Sequence, residues 1–183
     1  MNIENEIYFA PKIPLKDLDL SNKDSLIGAF EKRMSVYFLD AIALLNRQKK
    51  AYAAVIIELS LIDAIARYST KNDSAKNRIM KMLQDEFTVD EKLAKDVFDY
   101  FRNGILHESH IKNSGQLCYK TSKAFELKKG CVIVNPQHFE VGLKNIFQSF
   151  IEKLKADETA YKIFHSRMRD DFEEEITFFK GTD

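Results

Sequence analysis

The chain has no tryptophan, only two cysteines, three prolines and six glycines in 183 residues. So few turn-formers disfavour a turn-dense all-β fold and leave room for long helices. Two cysteines, Cys118 and Cys131, are too sparse for a disulfide framework or a zinc site, so two reduced thiols are expected. There is no excess of one charge: 28 Lys and Arg oppose 28 Asp and Glu. No global field therefore draws in nucleic acid, and any RNA contact has to be local. There is also no long apolar run. The richest stretch, residues 51–66, contains Glu58 and Asp63 and falls short of a bilayer span. The first six residues, Met-Asn-Ile-Glu-Asn-Glu, lack the basic and apolar regions of a signal peptide. The expectation is a cytoplasmic, single-domain protein over 1–183, without membrane contact, cofactor or metal.

What is present is helical periodicity. Residues 1–20 hold two of the prolines and no sustained period, and read as an N-terminal arm lying on the domain. Ser21 with Asp24 marks a helix start, and Ile27, Phe30, Met34, Tyr37, Phe38, Ala41, Ile42 and Leu45 carry that helix to about Gln48. Residues 51–68 are apolar nearly all round, as in a buried central helix. A helix over about 74–87 follows. Thr88 with Glu91 forms a capping-box pattern that starts the next helix, striped by Leu93, Val97, Phe98, Phe101 and Ile105. Residues 115–134 then change period and read as an inserted hairpin, with strands at 116–120 and 131–134 around a turn at 128–130. Asn135-Pro136 caps a helix that buries Phe139, Leu143, Ile146, Phe147, Phe150 and Leu154; a last helix covers about 158–176. The expected fold is all-α, an up-and-down bundle of five or six helices with one small β-hairpin.

The chemistry concentrates in residues 101–108, Phe-Arg-Asn-Gly-Ile-Leu-His-Glu. Arg102 is permanently cationic and can hold a phosphoryl oxygen through parallel donors. His107 titrates near neutrality and can give or take a proton. Asn103, four residues before His107, is close enough to orient the imidazole. On a regular helix Arg102 and His107 stand about 140° apart, which argues that two copies meet across a twofold axis to form one cleft. Gly104 either loosens the turn or lets another backbone approach. Equally open is an inert arrangement, with Arg102 packed on Tyr100 or capping carbonyls and His107 a cation at the helix end.

Around this run, Lys112, Lys120, Lys123, Lys128 and Lys129 oppose only Glu126 between residues 109 and 135. They form either a solvated face or a basic rim that tracks an RNA backbone. Glu108 with His110 is a weak metal pattern, and Glu58 or Asp63 could support the arginine from the bundle interior. His138 and His165 read as ordinary helix residues.

A helical bundle with Arg102, Asn103 and, after four intervening residues, His107 resembles the HEPN superfamily, the higher eukaryote and prokaryote nucleotide-binding domains. The likeness covers roughly residues 23–155. It implies metal-independent RNA cleavage by a homodimer with the motif at the interface, in toxin, abortive-infection or other defence roles. Arg102, Asn103 and His107 are then catalytic, with Lys112, Lys120 and Lys123 as substrate-binding candidates. It also implies a possible antitoxin or nucleotidyltransferase partner. The superfamily includes members without demonstrated cleavage, so a non-catalytic nucleotide- or protein-binding module stands as the alternative.

Overall fold

The computed structural model describes residues 2–3, 6–71 and 74–180. Among these, eight α-segments join into six helical rods. The first rod is α1 (Lys23–Met34), a π-helical turn (Ser35–Leu39) and α2 (Asp40–Arg47). Then come α3 (Ala51–Ser69) and α4 (Ala75–Phe87). The fourth rod is α5 (Glu91–Val97), a second π-helical turn (Phe98–Asn103) and α6 (Gly104–Glu108). The last two are α7 (Pro136–Ala156) and α8 (Glu158–Lys180). The bundle expectation holds at this level.

α3 is the central rod, as its apolar circumference predicts. Leu59, Leu61, Ile62 and Ile65 are fully buried, and α2, α4, α7 and α8 pack against it. Aromatic rings fill the space between rods. Phe30 of α1 meets Tyr68 and Phe164 edge-on, both at 5.0 Å between centroids, a geometry that adds to the area buried.

Several local expectations shift by a residue or two for identifiable reasons. The first helix is capped by Asn22, whose side chain accepts from the Ser25 amide, rather than by Ser21. The helix after α4 is capped by Asp90 through the Leu93 amide at 2.7 Å. Thr88, expected to be the cap, takes a left-handed conformation that ends α4. Asn135 does cap α7, accepting from Gln137 and His138.

The arm and the insert contain more strand than periodicity suggests. Residues before α1 form a three-stranded sheet of β1 (Asn2–Ile3), β2 (Glu6–Ala10) and β3 (Ile13–Pro14). Arg33 donates to the Phe9 carbonyl and lies against the Phe9 ring, and His165 bonds the Leu20 carbonyl at 2.9 Å. Those contacts pin the arm to α1 and α8. In the insert, the hairpin pairs β5 (Phe125–Lys128) with β6 (Cys131–Val134), and Lys129-Gly130 make its turn with positive φ at both positions. The segment expected to be its first strand supplies β4 (Gln116–Leu117), which instead runs parallel to β6 on its other side. In that register Cys118 and Cys131 are offset along the sheet, and both are free thiols. Among the described residues no helix is long and apolar enough to cross a membrane.

Candidate functional site

The site forms where the fourth rod crosses α3 and α4. Phe98 and Phe101 are buried at 5% and 0% exposure and anchor the π-helical turn into the core. Arg102 lies at the end of that turn, while His107 stands on the regular helix α6 beyond it. The long arginine side chain spans the separation: Arg102 Nη1 and His107 Nε2 lie 2.8 Å apart within one chain. The two groups therefore meet without a second copy to bring them together.

A guanidinium has only donors, so in this contact Arg102 donates and Nε2 of His107 accepts. The same Nη1 donates to Asn103 Oδ1 at 3.2 Å. Asn103 therefore holds the arginine rather than the imidazole, and its own amide nitrogen reaches Asp99 at 3.5 Å. On the other side, Arg102 Nη2 meets Asp63 Oδ2 at 3.4 Å. The guanidinium carbon lies 5.5 Å from the centroid of the Phe98 ring, with the Lys76 ammonium 5.9 Å from that centroid. The Arg102 side chain is 19% exposed, so most of it is covered by protein and a small part reaches solvent.

The loop after α6 folds back against the fourth rod and walls that side of the site. Ser109 takes a left-handed conformation, and His110 and Lys112 return backbone bonds to Gly104 and Tyr100. A Cβ on Gly104 would stand 2.5 Å from the His110 carbonyl oxygen, so the glycine is there to admit this backbone. Gly104 itself stays in helical conformation.

Sequence reasoning missed Lys76, Arg78 and Asp99. Arg78 Nη2 pairs with Asp63 Oδ1 at 3.2 Å, and Lys76 pairs with Asp99 at 3.8 Å. The one available signal was that Lys76 and Arg78 sit in the first turn of a helix following α3; nothing in their spacing ties them to Arg102.

The candidate lysines are not gathered here. Lys112 is paired with Glu108 four residues earlier on the same wall, which holds the Glu108 carboxyl below its ordinary value. Lys120 is exposed in the loop after β4, where Tyr119 reaches across to Asn46. Lys123 borders a different opening, a groove of about 820 Å³ floored by Phe87, Phe125 and Gly142. His110 leans on Glu108 in an exposed loop. Among the described residues no group of three or more His, Cys, Asp or Glu converges as a metal would require.

Glu58, considered above as a support for Arg102, belongs to a separate network. It is fully buried beneath α2 and α7. Asn46 Nδ2 donates toward Glu58 Oε1 at 3.0 Å, Glu140 Oε2 at 2.9 Å and the Pro136 carbonyl at 3.3 Å, while Tyr119 donates to Asn46 Oδ1. Burial pushes the Glu58 carboxyl well above its ordinary value; the Asn46 bond opposes this and Glu140 adds to it.

Comparison with known protein families, with curated proteins and with solved structures finds no match to this chain.

Proposed function

We propose that the protein is a metal-independent endoribonuclease of the HEPN type, working as a cytoplasmic homodimer in a toxin or phage-defence role. The observation that carries this reading is the 2.8 Å contact between Arg102 and His107, with Asn103 on the same guanidinium nitrogen. The three motif residues form one hydrogen-bonded unit that reaches the protein surface at His107. A purely structural helix end needs no such convergence.

The chemistry follows from that unit. An RNA phosphate draws the Arg102 donors toward its oxygens and releases the Nε2 lone pair of His107. Nε2 then takes the proton of the 2′-hydroxyl, and that oxygen attacks the adjacent phosphorus. Arg102 stabilises the charge gathering on the phosphorane oxygens. The bond to the 5′-oxygen breaks, the proton that Nε2 took passes to that leaving oxygen, and a 2′,3′-cyclic phosphate remains. Lys112, Lys120 and Lys123 supply contacts to the RNA backbone outside the reacting unit, and an antitoxin or nucleotidyltransferase acts as the controlling partner.

A second reading, a non-catalytic nucleotide- or protein-binding module, draws support from the same contact. Arg102 occupies the lone pair that a base would use. Labelled RNA incubated with pure protein in EDTA separates the two. The nuclease reading expects cyclic-phosphate ends that disappear in Arg102→Ala and His107→Ala. RNA that stays intact yet bound supports the module.

A further inference from the structure

The two oxygens of Asp63 are divided between two arginines from different rods. Oδ1 receives Nη2 of Arg78 on α4, and Oδ2 receives Nη2 of Arg102 on the π turn. Asp63 itself stands on α3, the most thoroughly packed rod in the molecule, so its carboxylate is fixed relative to the core. Arg102, by contrast, is a long side chain with several accessible rotamers. What turns its Nη1 edge toward His107 is that its Nη2 edge is already engaged. The Arg78 side chain is 12% exposed and that of Asp63 is 26% exposed, so the carboxylate is mostly covered by protein and holds Arg102 from the side opposite the His107 contact.

Resting on the nuclease reading above, we infer that Asp63, steadied by Arg78, is a positioning residue: it sets the Arg102 guanidinium so that one phosphate meets Arg102 and His107 together. Asp63 touches no reacting atom in this scheme. It also competes with the phosphate for Arg102, because both are anions seeking the same donors. The two effects have opposite signs on the two halves of the reaction. Losing the carboxylate frees the guanidinium to bind phosphate, but in an orientation that no longer serves His107. Misplacement of a catalytic group by about 1 Å is enough to cost roughly 100-fold in rate.

The test measures single-turnover cleavage of labelled RNA in EDTA together with affinity for a short 2′-O-methyl oligoribonucleotide, which cannot be cut. In Asp63→Ala the cleavage rate should fall by about 30- to 100-fold, while oligonucleotide affinity is unchanged or tighter. Asp63→Asn, which keeps one acceptor oxygen, should recover part of the rate. Arg78→Gln, which leaves the carboxylate in place but unsteadied, should lose less rate than Asp63→Ala, and it stands in if Asp63→Ala fails to fold. A folded Asp63→Ala that cuts at the wild-type rate, or loses rate and affinity in parallel, overturns the inference and leaves the nuclease reading intact. An Arg78→Gln protein that folds and cuts at the wild-type rate overturns it too. Wild-type protein that cuts nothing removes both.

Discussion

Glu58 and Asp63 stand five residues apart on α3, yet one is sealed inside the bundle and the other is partly open to solvent. Around Glu58, an amide, two carboxylates, a phenol and a backbone carbonyl from four parts of the chain close on one another, with Asn46 at 4% exposure in the centre. The network fastens α2, α3, the insert and the start of α7, and it does so by burial. Around Asp63, two guanidinia share one carboxylate, and the side chains keep a part of their surface open. Buried polar groups of the first kind must be satisfied by each other or destabilise the fold. Half-open groups of the second kind can exchange a protein partner for a ligand. The contrast separates a network that holds the fold from one that can do chemistry, and it can be broken from either side.

The largest expected effect is on catalysis. His107→Ala should lower the cleavage rate by about 100-fold or more, the range typical of a lost general acid or base, while leaving the melting temperature near that of the wild type because the ring is exposed. The mirror-image change is Asn46→Leu. It leaves Glu58 and Glu140 without their shared donor and should cost about 3 kcal/mol, seen as a fall of roughly 6–12 °C in Tm. Residual folded Asn46→Leu protein should still cut RNA. A smaller effect is expected for Gly104→Ala: the new Cβ pushes against the His110 carbonyl, while alanine favours helix by about 1 kcal/mol. At 2.5 Å from a backbone oxygen the clash outweighs that gain, so the variant should lose about 1–2 kcal/mol of stability, and cleavage should drop several-fold as residues 109–112 shift.

The smallest effect concerns pH. Glu58 keeps its proton in the fold well above the ordinary value of 4.5, so the unfolded chain loses protons first as pH rises. The fold binds more protons than the unfolded state in that window, and stability declines from about pH 4.5 upward. Glu58→Gln, which cannot ionise, should be more stable than wild type near about pH 8 and should lose that advantage near about pH 4, as read by thermal melts at both.

How much of this was legible before the structure depends on the kind of signal. The six rods were, because a stripe such as Leu93, Val97, Phe98, Phe101 and Ile105 repeats over many residues and tolerates an error of one. The caps were less so: Thr88 and Asp90 are both good cap residues, and only backbone conformation separates them. The second strand of the insert escaped because Gln116-Leu117 and Phe125–Lys128 are both short, and periodicity cannot say which one β6 will pair with in an antiparallel sense. In the site, Arg102, Asn103 and His107 were visible as residue types. Their contact was not, since it is made by the reach of the Arg102 side chain, which residue spacing does not announce. Arg78 was invisible because it comes from another rod and joins the site only through Asp63.

The most direct test of the division between the two networks is to melt His107→Ala and wild type and time their cleavage of RNA in EDTA on the same preparations. The account predicts melting temperatures within about 2 °C of each other, as for an exposed substitution, and cleavage lower by about 100-fold or more in the variant. Equal cleavage by the two proteins, or a variant that unfolds along with its loss of cleavage, would contradict it.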